Sequence, residues 1–401
     1  MIEFDQAIEI IKSNSLTPTT EIISLKDANN RVLAQNIYAD RDMPPFDKSA
    51  VDGYACKKED ITLDLKKVEI IAAGQKPKYE IVHRTCSQIM TGAMVPQGAN
   101  CVVMIEDTVY NDGVITIQDR GKDRIKSNIC SKGEDIKKGE LVLNKGEIIT
   151  SSKIGSMSNF GYSQVEVYKR PSIGIISTGD EIVPNDSSNI QEFQIRDING
   201  PMLESLASEL SDNSQFIGIV TDNKEKLKDT LIKSTTKFQI TIISGGVSEG
   251  EYDYVPQILK EIGFTILFNR VAIQPGKPAT FAIKKDNKNK IDRVVFALPG
   301  NPVSSLIQFH LMIKPLIFEC MGHNLSTKKI SLKIDQYYKR KNIDRTSLIP
   351  GKIDNNYVSP ILYNGSAHIL SLFKSDGVII IPKGVKSVEK GDYVQMIPLN
   401  L

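Results

Sequence analysis

Short apolar runs alternate with helical segments between residues 171 and 323. The runs are SIGIIS (172–177), QFIGIV (215–220), FQITIIS (238–244) and RVVFALP (293–299). FTILFNRVAI and ATFAI lie between the last two. Helices fall between strands. NGPMLESLASEL predicts one with Asn199 as its cap, Pro201 in the first turn, and Leu203, Leu206 and Leu210 on one stripe. NPVSSLIQFHLMIKPLIFECMG predicts another, opened by Asn301 and Pro302 and closed by Gly322. This alternation predicts a mostly parallel α/β sheet.

The flanking patterns differ. Residues 46–140 and 324–401 hold short strands punctuated by Gly and Asn turns and read as two β-rich domains. Residues 1–45 with 141–170 read as a small mixed linker domain. Its first helix, with Phe4, Ala7, Ile8 and Ile11 on one face, is available to pack on the α/β domain. The expected fold class is multidomain α/β plus β: a central α/β domain (171–323), two β-rich domains and the linker domain.

Composition narrows the class. A chain of 401 residues, 40% hydrophobic and 24% charged, is ordinary for a soluble multidomain protein. The net charge of +2 and the small basic clusters KKDNKNK (284–290) and YYKRK (337–341), read as a hairpin tip and a loop, argue against a nucleic-acid partner. The five cysteines (56, 86, 101, 130 and 320) are odd in number and far apart, which predicts reduced thiols in a cytoplasmic protein. His83 and Cys86 read as a surface coincidence, not a metal site. MIEFDQAIEIIKS has acids where a signal peptide has bases, and no apolar run approaches the roughly 20 residues of a membrane span. No membrane partner is expected.

In an open parallel sheet, ligands bind outside the carboxyl ends of the strands. That rule selects STGDE (177–181), TDN (221–223), SGGVSEGEYD (244–253) and LPGNPVSS (298–305) as loops of one rim. Gly245 and Gly246 would let backbone N–H groups approach an anion, and the Asn301–Pro302 helix start offers N–H groups and a positive dipole end. Asp180, Glu181, Asp222, Glu249, Glu251 and Asp253 crowd the same rim; a Mg²⁺ shared with phosphate oxygens would relieve their repulsion. Asp222 reads equally as a helix cap. Arg270 and Lys277, beside Pro275, Gly276 and Pro278, place positive charge on a stiff turn suited to an oxyanion. Gly246-Val247-Ser248-Glu249-Gly250 matches the serine-hydrolase elbow, but the glycines delay the helix and no histidine follows in a loop fit for a triad. RDMPPFDKSAVDGYA (41–55) gathers Asp47, Ser49 and Asp52 beside two prolines.

PPFDKSAVDGYA, IMTGAMVPQGA, STGDEIV, SGGVSEGEYDY, IQPGKPATFA and LPGNPVSS occur in an order that resembles the molybdopterin molybdenumtransferases, relatives of the gephyrin E domain. The resemblance implies an elongated homodimer of four-domain subunits. The implied reaction inserts molybdate into the dithiolene of adenylylated molybdopterin, with Mg²⁺-dependent release of AMP. By the same resemblance Asp52 and Thr91 approach the site from the partner subunit, and Glu181, Asp222 and Asp253 are its acidic, metal-binding residues. Arg270 and Lys277 are the basic ones, and Pro299, Gly300, Asn301 and Pro302 form its turn. Gly245, Gly246, Ser248, Gln274, Pro278 and Ser371 complete the substrate-binding set, with Ser248 a hydrogen-bond donor. The adenylyltransferase of the same pathway is an implied partner.

Two positions depart from the family pattern. Gln274 stands where a lysine is frequent, and Pro350 where a second arginine follows Arg345, with Lys352 two residues on as a replacement charge. Rival readings are an adenylyltransferase, whose loop usually reads GGTG where this chain has GGVS, and a non-enzymatic molybdopterin-binding scaffold.

Overall fold

The computed structural model describes residues 1–118, 126–246, 254–326, 328–361 and 374–399. It forms two compact units: Ile23–Val165, and Met1–Ile22 together with Glu166–Leu401.

The first unit is built on a six-stranded sheet of Cys101–Met104, Gly53–Cys56, Thr85–Ile89, Leu65–Ile71, Val114–Ile117 and Thr108–Asn111, in that spatial order. Cysteines that are distant in sequence meet in its core. Cys56 and Cys101 face each other across paired strands with Sγ atoms 3.6 Å apart, and Cys86 packs in the same cluster. All five cysteines are free, and burial pushes the Cys86 thiol up to about 12, so it stays protonated. His83 turns from Cys86 to Asp60, with Nδ1 and Oδ1 2.8 Å apart.

The second unit contains the α/β domain. Its elements are β1 (Ile173–Thr178), α1 (Asn199–Ser208), β2 (Ser214–Val220), α2 (Lys224–Lys237), β3 (Ile240–Ser244), α3 (Val255–Glu261), β4 (Thr265–Arg270), β5 (Pro278–Lys285), β6 (Ile291–Leu298) and α4 (Pro302–Cys320). The sheet order is β2-β1-β3-β6-β5-β4. β2, β1, β3 and β6 pair in parallel, whereas β5 is antiparallel to both its neighbours. The chain steps to one side of β1 to make β2 and to the other to make β3. This reversal opens a crevice at their carboxyl ends.

Every residue of β1 and β3 is buried, which explains why neither shows polar alternation. Helix α4 is long and apolar enough to cross a membrane, but 78% of that stretch is buried within the unit. It is the helix that the sequence predicts from Asn301 and Pro302 to Gly322, and it serves as a core helix. The N-terminal helix Phe4–Ser13 buries Ala7 and Ile11 and packs against the end of α4.

The C-terminal strands Thr346–Asp354, Tyr357–Pro360, Ile330–Ile334, Tyr393–Pro398 and Gly377–Ile381 pair in ring order and close on themselves as a barrel. Arg340, read from sequence as part of a basic loop, is only 7% exposed. Its guanidinium donates to the carbonyls of Val385, Arg345 and Pro382 and to Ser347 Oγ. Arg340→Met is expected to destabilise the protein by about 3 kcal/mol, because several buried carbonyls lose a charged donor together. Urea unfolding of both proteins measures this, and a loss below 1 kcal/mol would mean that water replaces the guanidinium.

Candidate active site

The crevice at the β1/β3 switch encloses a cavity of about 270 Å³. Its lining comes from the carboxyl ends of β1 (Ser177, Thr178, Gly179) and β3 (Ser244, Gly245, Gly246), with Pro299 and Gly300 after β6. Glu181, Ile182, Ile195, Asp197, Asn199 and Asp222 complete the wall. The rim expected from the sequence is therefore assembled for Glu181, Asp222, Gly245, Gly246, Pro299 and Gly300. Ser248, Asp253 and Ser371 lie outside the described residues.

Gly245 has φ +96°, and a Cβ there would stand 2.5 Å from the Thr178 carbonyl oxygen and from its Oγ1. Glycine is required for close packing of β1 on β3. The anion nest expected at Gly245-Gly246 needs correction: the Gly245 N–H already donates to the Leu298 carbonyl, at 3.0 Å. The helix start at Asn301 is likewise engaged. Asn301 Oδ1 accepts the Val303 N–H at 2.9 Å, the Asn301 carbonyl accepts that of Ser305, and Pro302 has none to give.

Two cap assignments also change. The cap of α2 is Asn223, whose side chain accepts from the Lys226 N–H, so Asp222 is not a capping residue. Its N–H donates to Asp180 Oδ1 at 3.1 Å, and its own carboxyl joins the cavity wall. Burial first, then the charges of Asp180 and Glu181, raise the pKa of Asp222 above the ordinary carboxylate range. Asn199 does not cap α1; Ile198 holds that position. Its amide instead donates to Ser244 Oγ and to the Gly300 carbonyl, both at 2.7 Å, tying together the ends of β3 and β6.

The basic turn forms a second group at the same edge of the sheet. Arg270 ends β4 opposite Pro278, which begins β5. Between them, Ile273–Gln274 pairs with Thr346–Ser347 of the barrel, and Arg345 donates to the Ile273 carbonyl at 3.3 Å. From α4, the buried Gln308 amide donates to the carbonyls of Gly276 and Pro278. The turn that carries Lys277 is thus fixed from two sides. Gln274 is exposed. Pro350 is buried in the barrel opposite Val378, whereas Lys352 is exposed opposite Ser359.

In the other unit, Asp52 and Thr91, 39 residues apart, meet directly. Asp52 Oδ1 accepts the Thr91 N–H at 2.6 Å and its hydroxyl at 2.7 Å. These bonds, the backbone one first, hold the Asp52 carboxyl below its usual range and keep it ionised.

Comparison with known proteins fits this arrangement. Residues 2–161 match the model described as MoeA N-terminal region (domain I and II), residues 174–319 a "Probable molybdopterin binding domain", and residues 338–399 the MoeA C-terminal region (domain IV). A molybdopterin molybdenumtransferase of Haemophilus influenzae is 32% identical, over 100% of this chain and 99% of the relative. The chain belongs to the molybdopterin molybdenumtransferase family.

Another relative of that name, from Staphylococcus epidermidis, is 31% identical over 99% of this chain and 95% of its own. A solved structure of the molybdopterin biosynthesis MoeA protein from Pyrococcus horikoshii superposes with a TM-score of 0.84 at 27% identity, covering 99% of this chain and 100% of the other. The family's members are transferases of molybdenum cofactor biosynthesis, and the combination of α/β domain and C-terminal barrel is theirs.

Asp197 and Asn199 were not among the sequence-derived site residues, and Ser177 and Thr178 entered only as part of the STGDE loop. RDING (196–200) contained the signal, but its Asn read as a local cap. The long-range partners of the amide supply the distinction.

Proposed function

We propose that this chain inserts molybdate into the dithiolene of adenylylated molybdopterin and releases AMP in a Mg²⁺-dependent step, acting as a homodimer. The observation that carries this reading is the pairing, at one edge of the sheet, of an acid-walled cavity at the strand-order switch with a braced basic turn. The family membership narrows the substrate class to molybdopterin.

The donor set suits a hard cation. Glu181 and Asp222 offer oxygen ligands only, and the repulsion that raises Asp222 is what a dication would relieve. Among the described residues no three His, Cys, Asp or Glu side chains are grouped as a metal cage. Mg²⁺ takes one or two carboxylates and completes its shell with substrate oxygens and water. Asp253, beyond the described residues, is a further candidate ligand. When bound, the ion would neutralise phosphate charge as AMP departs.

The protein's own groups do the positioning. Arg270 and Lys277 attract the oxyanion, and the Gln308 amide keeps their turn in place. The Asn199 amide holds the loops of β3 and β6 at a fixed separation. Such preorganisation lowers the reorganisation needed at the reacting centre.

The test supplies purified chain with adenylylated molybdopterin and Mg²⁺, with and without molybdate, and measures AMP. Molybdate-dependent release is expected. Tight substrate binding without release would point to a carrier, and consumption of ATP with unadenylylated molybdopterin would favour the adenylyltransferase reading.

A further inference from the structure

Three successive carbonyls of the turn between β4 and β5 are held by donors of the protein itself. The Lys277 carbonyl accepts the Val271 N–H at 3.0 Å. Its neighbours on either side, the carbonyls of Gly276 and Pro278, both accept from the side-chain amide of Gln308, at 2.6 and 3.1 Å. Gln308 is wholly buried in α4, a setting in which glutamine is seldom found.

The amide can face this turn only as a donor, because the reverse orientation would set its oxygen against two carbonyl oxygens. Its Oε1 has no hydrogen-bond partner, a penalty that a methionine of similar length would not carry. Stability alone therefore does not account for a glutamine here. The turn is shaped to meet it. Gly276 has φ +94°, and a Cβ there would stand 2.5 Å from Gln308 Nε2, so the close approach needs glycine. Immediately after Gln308, α4 widens into a π-helical turn at Phe309–Ile313, an irregularity frequent at functional sites.

We propose that Gln308 is a positioning residue that sets the affinity of this turn for an oxyanion without touching the anion. The proposal deepens the functional reading above and rests on it, since it supposes that Arg270 and Lys277 attract molybdate. A carbonyl oxygen carries negative partial charge, so a carbonyl turned toward an oxyanion repels it and competes for the neighbouring ammonium. With the amide in place, the carbonyls of Gly276, Lys277 and Pro278 all point at protein donors. Without it, two peptide planes flanking Lys277 lose their partners and are free to rotate. The loss falls on oxyanion binding, because the amide braces the turn and not the chemistry.

The test titrates the purified full chain with sodium molybdate by calorimetry and compares Gln308→Met, which removes the donor at similar volume. The variant is expected to bind molybdate about tenfold more weakly. In AMP release, the molybdate concentration giving half the maximal rate should rise by the same factor, with the rate at saturating molybdate within about threefold of the parent. A residue that only stabilised the fold would not move that concentration. Should Gln308→Met fail to fold, Gln308→Asn, too short to reach both carbonyls, is held to the same expectation. Equal molybdate affinity in parent and folded variant would overturn the proposal, and so would absence of molybdate binding to the wild-type chain at millimolar concentration. The two claims separate: molybdate-dependent AMP release with unchanged affinity removes only the role of Gln308, and a fall in affinity without AMP release in the parent removes only the proposed reaction.

Discussion

Gly245→Ala is expected to eliminate turnover and to lower the melting temperature by about 5–15 °C. The methyl group would sit 2.5 Å from both the carbonyl oxygen and Oγ1 of Thr178, and the first of these is backbone at the carboxyl end of β1. The residue also holds φ +96°, which an L side chain adopts only under strain. Strain of about 1–3 kcal/mol adds to overpacking of about 1–3 kcal/mol. Relief requires β1 and β3 to separate at their carboxyl ends, where the cavity lies. Gly300→Ala is the matched control. Its Cβ would meet only the Gly245 Cα, at 3.9 Å, so its melting temperature should stay within about 2 °C of the parent. Thermal melts with AMP release on both variants check this, and a Gly245→Ala protein that melts like its parent would mean that the two strands are not rigidly packed there.

The parts of the fold legible in the sequence were those set by local pattern. β1 and β3 are buried along their whole length, so their composition alone marks a covered parallel sheet. The rim followed from the rule that loops after such strands face a common ligand side, and Glu181, Asp222, Pro299 and Gly300 do line one cavity. Long-range partnerships were not legible. An Asn followed by Gly-Pro looks the same whether it caps its own helix or, as Asn199 does, reaches residues 45 and 101 positions away. Arg340 sits in a run of charges that reads as solvated, yet it is surrounded by carbonyls from distant turns. The antiparallel setting of β5 was hidden too, since its apolar run resembles those of its parallel neighbours. In each case the deciding contact lies far along the chain, beyond the reach of periodicity.

Asp222→Asn is expected to lower AMP release by at least about 100-fold, the scale on which removal of one preorganised charged group is felt, while making the protein slightly more stable at neutral pH. The two effects share a cause. Burial, and then Asp180 and Glu181, raise the pKa of Asp222 in the folded chain, so the folded state binds this proton more tightly than the unfolded one. The stabilising contribution of that proton is full below the ordinary carboxylate range and is lost as pH rises through the raised folded value. At neutral pH the ionised carboxylate therefore opposes folding, and the amide removes that opposition. The gain in melting temperature should be present at pH 7 and fade toward pH 4. Asp52 behaves in the opposite sense, since the Thr91 bonds lower its pKa and its contribution is lost as pH falls. A carboxylate kept at the wall of a cavity against the interest of stability is one retained for a ligand. If that ligand is Mg²⁺, the ion should raise the melting temperature of the wild-type chain and do so much less for the variant. Full activity in Asp222→Asn with undiminished Mg²⁺ stabilisation would place the ion elsewhere. Loss of activity with Mg²⁺ stabilisation intact would make Asp222 a group that acts on the substrate directly.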